Sequence, residues 1–79
     1  MDIEIGQYYG VSYVSGEWYI IQLVEFNPAP ADRTVKGKII MSNEGETVSS
    51  IVTFVRPPYT VSTWDKMDYE DVIAVLMEN

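Results

Sequence analysis

Apolar residues recur at every second position along much of this chain. Over residues 8–13, Tyr9, Val11 and Tyr13 alternate with Gly10 and Ser12, the period of a strand whose two sides face different surroundings. Val14, Ser15, Gly16 and Glu17 follow with turn chemistry, Gly16 being able to take a positive φ at little steric cost. A hairpin is predicted, with residues 18–26 as its return arm, rich in aromatic and β-branched side chains and free of glycine and proline. Tyr19, Ile21 and Leu23 would face one side of that arm, and Trp18, Ile20, Gln22 and Val24 the other. A strand apolar on both sides suits a small curved barrel, or a sheet that meets a partner.

Residues 27–32 contain two prolines, which cannot donate to a ladder, and read as a loop. A third strand is expected over residues 34–41, with Val35, Gly37, Ile39 and Met41 inward, Lys36 and Lys38 outward, and Gly37 marking a bulge or tight bend. Residues 43–46 read as a second hairpin turn. Residues 47–55 read as a fourth strand, with Val48, Val52 and Phe54 on one face and Pro57 and Pro58 ending it. The stretch from there through Trp64 reads as a loop with a brief extended piece near residues 59–61. Near the C-terminus, Tyr69, Val72, Ile73 and Leu76 have helical spacing, and Asp68 and Asp71 suit a cap. Residues 72–76 also suit a short strand that closes a barrel after one helical turn at 68–71; periodicity alone does not separate the two readings, and the turn followed by a strand is the one favoured.

The order Ile5-Gly6-Gln7, an alternating strand ending in Tyr13, a short turn, then Trp18 to Leu23 resembles the opening half of a Tudor or related SH3-like domain. Pro57 after the fourth strand and the run Tyr69 to Ile73 resemble the closing region of SH3-like modules. The expected fold is therefore mainly β: a small five-stranded barrel, SH3-like (Tudor-like) by this resemblance, with a short helical turn or helix near the C-terminus. Residues 1–79 would form a single domain. The resemblance also implies an aromatic cage for methylated lysine or arginine, with Tyr13 and Tyr19 at two cage positions and Asn43 as a polar neighbour. Ile40 and Met41 stand where further cage aromatics would be required.

Composition narrows the chemistry. The chain has no histidine and no cysteine, which removes the common general base, the thiolate and imidazole metal ligands, and any disulfide. Ser12, Ser15, Ser49 and Ser50 have no histidine to activate them, no EF-hand spacing occurs, and no glycine loop opens a helix to cradle phosphate. No enzyme activity, metal or cofactor is expected. Twelve acidic against five basic residues give a formal charge of −7, which disfavours direct contact with nucleic acid and anionic membranes. The apolar runs are too short to span a bilayer, and no signal-peptide pattern begins the chain, so an intracellular, soluble protein is expected, cytoplasmic or nuclear, or in the host cytoplasm if phage-encoded.

Two readings of function follow. The leading one is a protein-protein interaction module that binds through an aromatic hairpin face including Tyr13, Trp18 and Tyr19, with Trp64 as a further hot-spot candidate. The alternative is a small acidic inhibitor of a nucleic-acid enzyme, of the phage anti-defence or anti-CRISPR kind. In it Asp65, Asp68, Glu70 and Asp71 would stand in for phosphates against a basic protein surface. Self-association through exposed strand edges is a third possibility.

Overall fold

In the computed structural model, residues 3–27, 33–43, 45, 48–57 and 59–78 are described. The first hairpin forms as its turn chemistry dictates: β1 (Tyr8–Ser12) and β2 (Trp18–Phe26) pair antiparallel around a turn in which Gly16 has φ 100°. The Gly16 amide donates to the Tyr13 carbonyl at 3.0 Å, and the Tyr13 amide to the Glu17 carbonyl at 2.9 Å. β3 (Thr34–Ser42) follows β2, β4 (Ile51–Val55) follows β3, and β5 (Thr63–Met67) returns to pair with β1, giving an antiparallel sheet in the order β4-β3-β2-β1-β5. The helix α1 (Tyr69–Met77) ends the fold.

One face of the sheet carries the main core. Tyr9, Val11, Ile21, Leu23, Val35, Ile39, Phe54 and Trp64 cluster there, with Tyr13, Tyr19, Phe26 and Val52 packed against them. The hydroxyl of buried Tyr9 accepts the Glu4 amide at 3.1 Å, so this large ring enters the core without leaving a polar atom unsatisfied. The β2–β3 ladder shifts register twice, between Ile20 and Ile21 and between Leu23 and Glu25, and each irregularity increases local twist. Among the described residues the sheet is not closed into a barrel by hydrogen bonds. β4 and β5 remain its two margins.

The opposite face is covered in part by α1. Tyr8 points there, because its neighbour Tyr9 points into the core, and its ring lies 6.1 Å from that of Tyr69 on the helix. Ile20, paired with Gly10 on the same side, is 4% exposed, and Val72 of α1 is 2% exposed; neither belongs to the main cluster. The apolar second side of β2 is thus met partly within the chain.

Several expectations need correction. The loop expected through Trp64 ends earlier, because residues 63–67 form a strand: Trp64 faces inward opposite Val11 while Thr63 and Asp65 face out opposite Ser12 and Gly10. Residues 69–77 form a helix, not a turn followed by a strand. Asp68 occupies the N-cap, the Asp71 carboxylate accepts the Asp68 amide at 3.1 Å, and Glu70 and Asp71 place negative charge at the positive end of the helix dipole. These local terms outweigh the β propensity of Val72, Ile73 and Val75. β4 begins at Ile51, because Ser49 takes φ 75° and turns the chain, leaving Val48 61% exposed. Gly37 is a close-approach glycine beside the register shift: a Cβ there would lie 2.7 Å from Ile21 Cδ1 and 3.3 Å from Phe54 Cε2. The proline loop at 28–32, Pro58 and residues 44 and 46 of the second turn lie outside the described residues.

Candidate interaction surface

The turn between β1 and β2 presents Val14, which is 92% exposed, with half-buried Tyr13 before it on the core side and half-buried Trp18 after the turn on the other face, opposite Ser12. It is latched from the end of β3. The Asn43 side chain accepts the Trp18 amide at 2.9 Å and donates to the Gly16 carbonyl at 2.9 Å, while the Asn43 amide donates to the Trp18 carbonyl at 3.3 Å. With both polar ends of its carboxamide used on the hairpin, Asn43 has a structural role, and the expectation that it lines a cage is set aside.

Behind the tip, aromatic rings form a continuous series. Tyr13 meets Tyr19 edge to face at 6.0 Å, Tyr19 meets Phe54 at 5.5 Å, Phe54 meets Trp64 at 6.4 Å, and Trp64 meets Tyr9 at 5.5 Å. Such tilted and edge-to-face pairs are the favoured geometry for π systems. Tyr19 is engaged by rings on two sides. Tyr13 lies at the outer end of the series, where burial, helped by the Glu17 carboxylate, raises its phenol pKa above the ordinary value. Trp64 is 5% exposed and its indole N–H donates to the Ser62 hydroxyl at 3.1 Å, so its ring belongs to the core and not to a contact surface.

The carboxylates Asp65, Asp68, Glu70 and Asp71 are all exposed. They do not join the hairpin tip. Met67 is opposite Tyr8 and Thr63 is opposite Ser12, so Asp68 and the start of α1 lie at the far end of β1 from the turn, roughly 15 Å along the strand. Asp65 lies between, opposite Gly10. The eight candidate residues therefore divide into Tyr13 and Tyr19 on the core side of the hairpin, Trp18 on its other face, buried Trp64, and an acidic group of which Asp68 and Asp71 also organise the helix start.

A second set of exposed and half-buried groups surrounds Lys36 and Lys38, which the sequence reading places together on one strand face with Arg56 nearby. On the outer side of β3 and β4, Lys38 pairs with Ile51, Lys36 with Thr53 and Thr34 with Val55. Ile51 is 61% and Val55 42% exposed. Arg33 and Arg56 join the same end through the Arg56 amide, which donates to the Arg33 carbonyl, and the Arg33 guanidinium lies 4.8 Å from the centre of the Tyr59 ring. Four of the five basic residues are thus gathered on β3, β4 and their flanks. The period-two pattern places Lys36 and Lys38 on one face, but only the pairing register brings them beside Ile51 and Val55. A small cavity of about 100 Å³ opens at the end of β2 and β3, lined among others by Glu25, Phe26, Lys36 and Thr53.

Among the described residues no group of three or more acidic, histidine or cysteine side chains is placed to hold a metal, and no helix is long and apolar enough to cross a membrane. Comparison of the chain with protein-family models, with curated proteins and with solved structures gave no match.

Proposed function

We propose that this protein is a non-catalytic interaction module that contacts a protein partner through the Tyr13–Trp18 hairpin. The observation that carries the reading is a hairpin turn fastened by Asn43, the residue after β3, with Val14 almost fully exposed at the turn, half-buried Tyr13 on the core side against Tyr19, and half-buried Trp18 on the other face opposite Ser12. A contact loop ordered before binding loses little conformational freedom when it binds, and Tyr and Trp provide large contact area for few rotatable bonds. The SH3-like reading of the fold is part of this proposal. It draws on the return of β5 to β1 and on the approach of Phe54 to Trp64 across the open side of the sheet.

Affinity capture from the native host, followed by titration of the captured partner into isotope-labelled protein, tests the reading. Amide shifts concentrated at residues 13–19 and 43 are expected. A saturating partner that leaves those amides unmoved overturns the assignment of this surface.

A second reading, a small acidic inhibitor acting on a basic protein groove, is favoured by the exposure of Asp65, Asp68, Glu70 and Asp71 at one end of a chain of charge −7. Binding of that kind weakens steeply with added salt and on neutralising Asp65 and Glu70, the two carboxylates with no part in the helix cap.

A further inference from the structure

Two exposed surfaces of this chain complement one another. The first is α1. Tyr69, Ile73 and Leu76 follow one another at positions i, i+4 and i+7 and are 63%, 37% and 42% exposed, while only Val72 of the helix is buried. This apolar stripe is bordered by Glu70 and Asp71, and the last turn of the helix contains no basic residue, although a cation is what its negative dipole end favours. The second is the outer side of β3 and β4, where Ile51 and Val55 lie exposed beside Lys36 and Lys38. One surface is apolar and acidic, the other apolar and basic; α1 follows β5 in the chain, and β5 and β4 are the two margins of the sheet.

We propose that the two surfaces bind each other between copies of the protein, α1 of one copy lying across the outer face of β3 and β4 of the next. The occupant of the helix stripe is a second copy because the chain itself supplies the required chemistry: apolar side chains of matching exposure and lysines set among them, in a protein otherwise dominated by negative charge. The contact is heterologous, joining unlike patches, so addition of copies continues head to tail unless the geometry closes a ring. The net charge of each copy opposes the contact at long range, and moderate salt therefore strengthens it by screening that repulsion before the local ion pairs are screened.

Sedimentation velocity of the full chain over a concentration series reads the proposal. The weight-average mass is expected to rise with concentration. A charge reversal on the sheet face, Lys36→Glu with Lys38→Glu, should abolish the rise, and so should Glu70→Lys with Ile73→Ser on the helix face, each with an amide spectrum that remains folded. The second pair avoids Asp68 and Asp71, so the cap is preserved. Mixing the two variants leaves one intact surface of each kind and should restore a complex of two copies only. A single species at every concentration, association that survives either pair of substitutions, or loss through one face alone would overturn the proposal. Should the sheet-face variant fail to fold, Ile51→Ser with Val55→Ser reads the same surface without touching the Lys36–Glu25 pair at 3.8 Å.

Discussion

Phe54 of β4 and Trp64 of β5 meet edge to face with ring centroids 6.4 Å apart, although their strands are the two margins of the sheet. No ladder joins those strands among the described residues, so the curl of the sheet is held on that side by side-chain packing. Curvature comes from the two register shifts between β2 and β3, and Gly37 lets Phe54 and Ile21 approach the backbone where a side chain would intrude.

Truncating Trp64 should therefore cost far more than truncating Trp18. Trp64→Ala removes a buried ring with two aromatic neighbours, a loss of about 3–5 kcal/mol, from a domain whose whole stability is on the order of 5–15 kcal/mol. Trp18→Ala, at a half-buried position, should cost about 1–2 kcal/mol. Urea midpoints at a common slope measure both. Equal losses would contradict the placement of Trp64 in the core.

Gly37→Ala should be destabilising by about 1–3 kcal/mol, since the new Cβ meets the Cβ of Ile21 at 3.2 Å as well as its more movable Cδ1. Gly10→Ala is the matched control in a neighbouring strand. There the nearest atom is the flexible Met67 Sδ at 3.3 Å, so the cost should fall below about 1 kcal/mol. Thermal unfolding of the two variants side by side decides the matter.

Asn43→Ala breaks both side-chain bonds that hold the first hairpin, each worth roughly 0.5–1.5 kcal/mol. The expected signature is local. Hydrogen exchange should speed up most at the Trp18 amide, which loses its acceptor, and Asn43→Asp, which keeps the acceptor but not the donor, should give a smaller change. Uniform acceleration across the sheet would show that Asn43 is not a latch.

Tyr13 makes stability depend on pH in the alkaline range. Its folded phenol pKa lies above the unfolded value, by burial first and by Glu17 second, so in the interval between the two values the unfolded chain has lost a proton that the folded chain retains. The stabilisation from this group is full below a pH of about 10, the unfolded tyrosine value, and is lost as pH rises through the folded pKa. Tyr13→Phe should flatten that part of the profile. Glu17→Gln should lower the phenol pKa only in part, because burial is the larger cause. With six tyrosines in the chain, the phenolate absorbance of Tyr13→Phe subtracted from that of the parent isolates the titration. A parent-minus-variant curve centred at or below the ordinary value would contradict the assignment.

Strands with strong local signals were legible in the sequence. β2 has the bounds its composition implies, and β3 runs one residue past the expectation. The mainly β class follows from such elements, but the fifth strand expected at residues 72–76 is helix, and the fifth strand of the sheet is instead Thr63–Met67. β5 was not legible because it sits at a margin: of its five residues only Trp64 is buried, and Asp65 and Lys66 interrupt the apolar pattern. A tryptophan in such company reads as surface, and only pairing to β1 reveals it as core. The helix was obscured by Val72, Ile73 and Val75, whose propensity points to a strand, whereas the deciding bond joins an amide and a carboxylate three residues apart. Of the candidate surface, the aromatic hairpin could be read from Tyr13, Gly16, Trp18 and Tyr19, but its fastening could not, because Asn43 is 25 residues from Trp18 along the chain.

The attachment of α1 has a dynamic consequence. A nine-residue helix with one fully buried side chain has little to hold it beyond the Tyr8–Tyr69 contact, and short helices are marginal in isolation. Its detachment should therefore be a sub-global opening of lower free energy than unfolding of the sheet. Each such excursion parts the Tyr8 ring from Tyr69 and bares Val72, so the protein carries a concealed greasy patch whose exposure is set by how firmly that one valine stays seated.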